Sequence, residues 1–487
     1  MRIFRKLQTK LNWSTRRYLG VALSVVVLGY VASAIYQIYK PLPEGLNVTG
    51  PVRHAEVQFL SDQSYVDAAG TRQQQQQIFD QILKLIAEAQ STIVIDMFLF
   101  NQEVGESTQP YRPLTKQLTE ALIFQRQMNP NLEVKLITDP INSVYAGLMP
   151  EHYRQLRQAG VDVIETNLTP LRASNPAWSG FWYMCCQGIG NNPEGGWLPN
   201  PFGEQKITIR SYLHLLNFKA NHRKTIVVDS VDGWKSVVTS ANPHDGSAAH
   251  SNVALLINGH TALDILKTEQ PIATMSGSDV PVVIVGAEHT QPTWPQVQVL
   301  TEAAIYQAVL KLIETAKVQE QIDVAMFYLS ERNIIQQLIA AQARGVQVRV
   351  LLDPNKDAFG RQKNGMPNRQ VASELNAAGV NVRWCNTQGE QCHSKMIMKY
   401  NAKQAELILG SANFTARNLK NYNLETDVRV FGAAQLPVFM DAQQYFNQSW
   451  SNLNGRQASV DYVQFADESK MKYWTYRFME WSGLSTF

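Results

Sequence analysis

The sequence has few cysteines and little net charge, and each shortage excludes a class of protein. Its 487 residues include four cysteines, too few for a domain held together mainly by disulfides. The 44 basic and 41 acidic residues give a formal net charge of +3, which offers no support for a strongly basic nucleic-acid-binding protein. No Cys/His spacing is typical of a zinc site. With 45% hydrophobic residues, the chain has enough apolar material for a large core divided among two to four domains.

The cysteines form two close pairs in the sequence. Cys385 and Cys392 flank a short polar loop and would form a disulfide in an oxidising compartment, whereas two buried thiols are the alternative. The adjacent Cys185 and Cys186 are expected to be ordinary packing residues.

The first forty residues contain no acidic side chain, and residues 18–39 contain no charge at all. At about 1.5 Å per residue this uncharged run is roughly 33 Å long, enough to cross a hydrocarbon core about 30 Å thick. The basic residues before it predict a cytoplasmic N-terminus, with everything after Lys40 on the extracytoplasmic side, the periplasm in a bacterium. Because Ala32-Ser33-Ala34 fits a cleavage site, a removed signal peptide is the alternative to a single-pass anchor.

The rest of the chain contains an internal repeat. Each half has an amphipathic helix, an apolar strand, a second helix and a strand that ends in Asp-Pro, at residues 82–86, 93–98, 113–128 and 134–140 and again at 309–313, 322–327, 332–344 and 348–354. This alternation predicts an α/β fold with one sheet in each half and helices outside the sheets. We therefore expect a cytoplasmic segment and anchor over residues 1–40, a linker over 41–70, a first domain over 71–275 and a second over 276–487.

The first half carries an aromatic insertion over about residues 168–215. From Gly160 to His222 there are 62 positions, compared with 14 from Gly379 to His393. The added residues include six large aromatic side chains, at Trp178, Phe181, Trp182, Tyr183, Trp197 and Phe202. The insertion is expected to be either a local lid over the first domain or an amphipathic surface that seats acyl chains or enters a membrane interface.

Each half also carries a histidine and a lysine two positions apart on a predicted strand. The pairs are His222 with Lys224 and His393 with Lys395. Side chains two apart on a strand point to the same face. A Ser-x-Asn segment follows each pair, and the asparagine lies 20 positions after the histidine in both halves, at Asn242 and Asn413. The equal spacing indicates a duplicated active-site unit.

The two motifs resemble those of the phospholipase D superfamily, in which His-x-Lys-x4-Asp and Gly/Ser-x-Asn occur twice. The first motif, Asn221-His222-Arg223-Lys224 with Asp229, looks most like that of bacterial cardiolipin synthase relatives. The resemblance implies two tandem phospholipase D-like α/β sandwich domains, related as a pseudo-twofold pair, with one active site at their seam. It also implies a reaction through a covalent phosphohistidine, without a metal or another cofactor.

The chemistry of a phosphodiester gives each motif residue an expected role. One imidazole attacks phosphorus while neutral, and the other donates a proton to the leaving oxygen. We expect His222 to be the nucleophile and His393 the acid and base. Lys224 and Lys395, with the amides of Asn242 and Asn413, are expected to hold the non-bridging oxygens. Ser240 and Ser411 are expected to be additional donors, and Asp229 is expected to serve local structure.

The second motif departs from the family pattern. Tyr400 stands where Asp229 stands in the first. The family also places an acidic residue about thirty positions after each histidine, where it orients the histidine of the opposite half. Glu425 lies 32 positions after His393, but the same offset from His222 gives Ala254. We therefore expect Glu425 to support His222 and no equivalent residue to support His393.

Other polar residues near the motifs have two interpretations. The basic loop over residues 355–365, with Arg369 just beyond it, either meets a phosphate through Lys356, Arg361 and Lys363 or is simply solvated. His214, His244 and His250 are expected to be hydrogen-bonded structural residues.

These features favour a membrane-anchored phospholipase D-type phosphodiesterase or phosphatidyltransferase, cardiolipin synthase-like, that acts on phospholipids. An exported nuclease of the same superfamily, with nucleic acid as its partner, is the alternative enzyme. An inactive homologue that binds envelope components is the alternative without catalysis. The sequence specifies neither the headgroup, the acceptor nor the oligomeric state.

Overall fold

Two β-sheets, one from each half of the chain, form the centre of the protein in the computed structural model. The structure describes residues 14–106, 111–283, 290–358 and 361–485. The predicted basic N-terminal segment before Ser14, and Phe359 and Gly360 of the basic loop, lie outside the described residues. The α/β architecture with an apolar N-terminal helix confirms the predicted fold class.

The first sheet has, among the described residues, eight strands in the order β3-β2-β9-β8-β7-β4-β5-β6. The strands are β2 Val57–Val66, β3 Arg72–Gln75, β4 Ala89–Met97, β5 Glu133–Thr138, β6 Asp162–Glu165, β7 Lys224–Ser230, β8 Gly233–Thr239 and β9 Asn252–Asn258. The helices before and within this half are α1 Thr15–Tyr39, α2 Ile78–Glu88, α3 Leu114–Met128, α4 Glu151–Gln158, α5 Pro176–Cys185, α6 Ile209–Leu215 and α7 His260–Met275.

The second sheet has nine strands in the described part of the chain, in the order β1-β10-β18-β17-β16-β11-β12-β15-β19. The strands are β1 Arg53–His54, β10 Gln296–Thr301, β11 Gln321–Met326, β12 Gln347–Leu352, β15 Asn381–Cys385, β16 Lys395–Tyr400, β17 Gln404–Gly410, β18 Thr426–Ala433 and β19 Ser459–Asp461; β13 Asp357–Ala358 and β14 Arg361–Gln362 form a separate hairpin. The helices are α8 Ala303–Glu314, α9 Arg332–Ala343, α10 Asn368–Ala377, α11 Ala416–Leu419, α12 Pro437–Ser451 and α13 Lys470–Ser482.

The predicted helices and strands of the repeat form because their apolar residues recur at the matching period. In α2 the buried side chains include Ile78, Ile82 and Leu85, which lie on one helical face against the sheet. The parallel pairs β4–β5 and β11–β12 are covered on both faces and consist mainly of β-branched and other apolar residues.

The two sheets face each other across one continuous apolar core. That core contains Val238 and Leu255 from the first half and Met398 and Leu407 from the second. One further apolar cluster lies on the outer side of each sheet, under α2 and α3 in the first half and under α8, α9 and α10 in the second. Helices α7 and α12 also contribute side chains to the core between the sheets, so the expectation that the helices lie outside the sheets is wrong for these two. The ends of the central strands of both halves meet at a common seam.

The predicted linker over residues 41–70 is wrong in its second part. Strand β1 pairs with β10 in the second sheet, and β2 pairs with β9 in the first. The sequence did not predict β2 because several of its buried side chains are polar. Asp62 accepts from the first backbone amides of α2, and Gln63 donates to Ser449 of α12 at 2.8 Å.

The insertion packs against α1 as well as against the first half. A Cβ on Gly180 would lie 2.8 Å from the Cβ of Ala34, so α5 and α1 are in backbone contact. Ser33 Oγ donates to Gly180 O at 2.9 Å, and Ala173 N donates to Gln37 O at 2.9 Å. Among the described residues, α1 is the one helix long and apolar enough to cross a membrane.

Both cysteine pairs are joined as disulfides. Cys385–Cys392 takes the bridged form of the two alternatives. The packing prediction for Cys185 and Cys186 is wrong, because these neighbours are bonded to each other and Cys185 is exposed at the end of α5.

Candidate active site

The two His-x-Lys motifs lie at the start of equivalent strands. Lys224 is the first residue of β7 and pairs with the last residue of β4, while Lys395 is the first residue of β16 and pairs with the last residue of β11. His222 and His393 precede their strands by two positions and are each 8% exposed. Both motifs thus lie at the end of a central strand, where the side chains face the seam between the halves and not the apolar core.

The two halves hold each other through these motif segments. His222 N donates to Leu424 O at 2.9 Å, and His393 N donates to Ser251 O at 2.8 Å. The same segments also form reciprocal parallel bridges. Each motif is therefore paired with the opposite half just before that half's Glu425 or Asn252, which is the reciprocity expected of a pseudo-twofold arrangement.

Each imidazole is oriented through its Nδ1 by a residue of the other half. His222 Nδ1 lies 2.9 Å from Glu425 Oε1 and 3.0 Å from Oε2. His393 Nδ1 lies 3.1 Å from Asn252 Oδ1. Because both Nδ1 atoms are occupied, both Nε2 atoms are left to act on a substrate.

Asn252, and not Ala254, is the counterpart of Glu425. The serine that contacts the orienting residue lies 12 positions before it in the first half and 14 in the second. A fixed offset from the histidine therefore missed Asn252 by two positions. Aligning Asn252-Val253-Ala254 with Glu425-Thr426-Asp427 at the start of β9 and β18 would have found it.

The serines of the two Ser-x-Asn segments donate to the orienting residues. Ser240 Oγ donates to Asn252 Oδ1 at 3.0 Å, and Ser411 Oγ donates to the carboxylate of Glu425. Both serines are fully buried. Their hydroxyl protons are therefore used in hydrogen bonds to the residues that orient the histidines.

The lysines lie beside the histidines with their ammonium groups held over aromatic rings. Lys224 Nζ donates to His222 O at 2.6 Å and lies 5.0 Å from the ring centre of Phe98. Lys395 Nζ donates to its own histidine's carbonyl at 2.8 Å and lies 5.2 Å from the ring of Phe327. These phenylalanines also contact the histidine rings, at 4.7 and 4.9 Å between centres. The sequence placed both at predicted strand ends without a role.

The two asparagines of the Ser-x-Asn segments are buried near the motifs but are not equivalent. Asn242 Oδ1 accepts from Leu99 N at 3.1 Å, which leaves its amide N–H groups for another acceptor. Asn413 Oδ1 is buried and has no hydrogen-bond partner within the described residues.

Burial lowers the pKa of both imidazoles, so both are neutral near pH 7. For His222 the ammonium groups of Lys224 and Lys395 lower the pKa further, and for His393 Lys395 and Lys224 do the same. Each histidine thus responds to the lysine of the opposite half, as groups in one pocket of low dielectric must. Burial also lowers the pKa of Lys224 to about 7, against the opposing charge of Glu425.

Two aspartates fix the backbone of the motifs. Asn221 N donates to Asp139 Oδ2 at 2.7 Å, and Cys392 N donates to Asp353 Oδ2 at 2.8 Å. Burial raises the pKa of Asp139 to about 7 and that of Asp353 to about 6. The duplicated Asp-Pro at the strand ends was the sequence signal for this pair.

A buried cation clamps the first motif to the second half. Arg223 is fully buried, and its Nη2 lies 2.6 Å from Glu302 Oε1 and its Nη1 3.5 Å from Glu269 Oε2. Glu302 Oε1 also accepts from Glu425 N at 3.2 Å. Glu302 therefore connects Arg223, the neighbour of His222, to Glu425, the residue that orients His222.

Asp229 and its replacement Tyr400 both serve local structure. Asp229 accepts from the backbone amides of Ser91 and Thr92 at the start of β4. It lies five positions along β7 from Lys224, roughly 16 Å at the usual strand rise. Tyr400 OH donates to Asp323 at 3.0 Å on the equivalent strand pair. Neither side chain lies at the histidine end of its strand.

One residue of the basic loop reaches the pocket. Lys363 Nζ bonds to Tyr328 OH and lies 5.3 Å from the ring of Phe327. Arg361 pairs instead with Glu106. Lys356 pairs with Asp357 and lies over the ring of Phe465. Arg369 donates to Pro354 O and lies over the same ring.

Of the three other histidines, one is close to the site. His250 lies 5.7 Å from His393 between ring centres. His214 stacks on Tyr145 at 4.3 Å, and His244 Nδ1 is 2.9 Å from Ser247 Oγ, as expected for structural residues. The described residues contain no group of three or more His, Cys, Asp or Glu side chains able to hold a metal ion.

Comparison with known families gives a match in the second half of the chain. Residues 309–450 match the family model described as cardiolipin synthase, PLD-like domain. This region contains the second His-x-Lys motif, and the first half repeats its architecture and motif geometry. Residues 309–450 therefore form a phospholipase D-like domain.

Solved structures support the fold. Phosphatidylserine synthase from Haemophilus influenzae Rd KW20 is 10% identical, with a TM-score of 0.53, over 88% of this chain and 94% of that one. This likeness covers both halves and concerns the fold alone. Polyphosphate kinase from Porphyromonas gingivalis (TM-score 0.44, 13% identity, 88% and 54% covered) and Nuc from Salmonella typhimurium (0.27, 24%, 34% and 97%) are weaker likenesses. No curated protein sequence matches significantly.

Proposed function

We propose that this protein is a membrane-anchored phospholipase D-type enzyme that hydrolyses a phospholipid or transfers its phosphatidyl group to an alcohol. The observation that carries the proposal is the reciprocal histidine site. Two neutral imidazoles, each held through Nδ1 by the opposite half, share a pocket with the side chains of Lys224 and Lys395.

His222 is the better nucleophile because its orienting partner is a carboxylate. Attack by Nε2 on phosphorus breaks the bond to the leaving alcohol and puts a positive charge on the ring. Glu425, within hydrogen-bonding distance of Nδ1, stabilises that charge. Water or a second alcohol then attacks the phosphohistidine, the P–N bond breaks, and His222 returns to its neutral form.

His393 is the better acid and base because Asn252 offers it an acceptor without a charge. Its ring can thus give a proton to the leaving oxygen and take one from the incoming water or alcohol. The negative charge of a bound phosphodiester offsets the two lysines, which raises the pKa of His393 on binding. Lys224 and Lys395, protonated when the anionic phosphodiester is bound, offset the charge of the non-bridging oxygens, and the Asn242 amide donates a hydrogen bond to them.

A lipid substrate is supported by the surroundings of α1. Helix α5 lies along residues 29–34 of α1, within the uncharged run that would cross the bilayer. Its exposed Phe181 and Met184 would then enter the outer leaflet. A second apolar stripe, on α13, consists of Met471, Trp474, Phe478 and Trp481. The end of α13 meets the start of the insertion, since a Cβ on Gly483 would overlap Ser174 O.

The proposed topology places the catalytic halves outside the cytoplasm. The basic residues before α1 favour a cytoplasmic N-terminus. Two disulfides after α1 are consistent with an oxidising compartment, the periplasm in a bacterium.

The proposal is tested with the full-length protein in detergent micelles. Radiolabelled phosphatidylglycerol, with and without added glycerol, and a single-stranded oligonucleotide are supplied as substrates. We expect release or transfer of the phosphatidyl group, lost in His222→Ala and His393→Ala. Cleavage of the oligonucleotide without lipid turnover would identify a nuclease and refute the lipid assignment.

A further inference from the structure

A cavity of about 660 Å³ lies outside the active site, between the end of α1 and the base of the insertion. Its wall includes Tyr36 and Lys40 from the anchor side and Thr169, Tyr183 and Gln187 from the insertion. The active-site histidines and lysines described above do not line it. The wall therefore joins polar groups to the apolar side of a helix.

A buried lysine of the cavity wall, Lys40, lies next to a second buried lysine, Lys219. Lys40 is 7% exposed and Lys219 is 5% exposed. Lys40 Nζ donates to Thr169 O at 2.7 Å and to Gln37 Oε1 at 3.0 Å. Lys219 Nζ lies 3.4 Å from the same Thr169 oxygen and donates to Tyr183 OH at 2.8 Å. Lys40 lines the cavity, and its third N–H group donates to the neutral amine of Lys219. Protonation of Lys219 would release this donor for an anion in the cavity.

Neither lysine has a carboxylate partner within the described residues. Burial lowers the pKa of Lys40 to about 8 and, together with the charge of Lys40, that of Lys219 to about 6. Buried cations without a counter-charge are unfavourable. An anion in the cavity would supply that charge and keep both lysines protonated.

The position along the chain indicates the source of the anion. Lys40 is the first charged residue after the uncharged run of residues 18–39. On the proposed membrane topology, on which this inference rests, that run fills the hydrocarbon core and Lys40 lies at the level of the headgroups. We propose that the cavity binds the phosphate of a membrane phospholipid, with Lys40 as its donor and an acyl chain beside Tyr36, separately from the catalytic pocket.

The test is native mass spectrometry of the full-length protein in detergent, in a His222→Ala background that prevents turnover. The probes are dioleoylphosphatidylglycerol, dioleoylglycerol with the same chains and no phosphate, and inorganic phosphate as competitor. We expect Lys40→Gln, which keeps a hydrogen-bond donor but loses the charge, to retain one phospholipid fewer or bind it about tenfold more weakly. Lys40→Arg should retain binding. The matched control Lys116→Met, an exposed lysine of α3, should change nothing.

Equal phospholipid binding by Lys40→Gln and the parent would overturn the proposal. Equal retention of dioleoylglycerol and the phospholipid, or displacement by inorganic phosphate at matched concentration, would overturn the assignment to a lipid phosphate. Turnover of the water-soluble diester bis(p-nitrophenyl) phosphate by Lys40→Gln with intact His222 is measured in parallel. We expect the parent rate. If neither protein turns the diester over, the enzymatic proposal fails while the lipid-binding result still stands.

Discussion

Replacing Asn252 by aspartate tests how the two histidines are made different. The substitution keeps an oxygen acceptor 3.1 Å from His393 Nδ1 but adds a negative charge. Two unit charges about 4 Å apart attract by about 4 kcal/mol at an effective dielectric constant of 20. Since one pKa unit corresponds to about 1.4 kcal/mol, this attraction alone would raise the pKa of His393 by about three units.

The full effect is smaller because the new carboxyl group is buried. Burial raises the pKa of the equivalent Glu425 from 4.5 to about 7 despite the nearby Lys224. An aspartate at position 252 would therefore be only partly ionised near neutral pH. We expect the pKa of His393 to rise by about one to two units, with that of His222 little changed.

The assay is the pH profile of kcat with a chromogenic phosphodiester. The limb that reports His393 should move to higher pH by about one to two units in Asn252→Asp. The control Asn376→Asp adds the same charge at an exposed position of α10 and should leave the pH profile of kcat unchanged. An unshifted profile in a folded, active Asn252→Asp protein would refute the assignment of Asn252 as the positioning residue of His393.

Three further substitutions test the site and its support. His222→Asn should form no acid-labile phosphoenzyme from a ³²P-labelled diester, and a retained label would instead make His393 the nucleophile. Glu302→Ala should lower the free energy of unfolding by about 3–5 kcal/mol, because it leaves the buried Arg223 short of a partner; a urea titration unchanged from wild type would contradict this clamp. Tyr400→Asp, which restores the family residue, should lower the melting temperature by placing a carboxyl group near Asp323 and should not raise turnover, whereas a gain in turnover would give this position a catalytic role.

The repeat was predictable because its signals are local. Helices such as α2 and strands such as β4 and β5 show the expected period within a single element. Strand β2 was missed because its buried residues Asp62 and Gln63 are polar, and their partners on α2 and α12 are set only by the fold. Polar burial of this kind has no pattern along the chain.

The candidate site divides in the same way. The sequence supplied His222 and His393 with their lysines, since their spacing is repeated. It missed Asn252, which lies 141 positions before His393, because two residues fewer separate the serine from the orienting residue in the first half. It also missed Phe98 and Phe327, whose rings become site residues only by packing on the imidazoles.

The sequence by itself determined the duplicated His-x-Lys and Ser-x-Asn unit, the α/β class of each half and an apolar helix long enough to cross a membrane. These properties follow from spacing and periodicity, which act over a few residues. Only the tertiary structure decided that the halves exchange orienting residues, with Glu425 on His222 and Asn252 on His393. Such contacts join backbone segments remote in sequence, and their geometry is fixed by the packing of two sheets across one core.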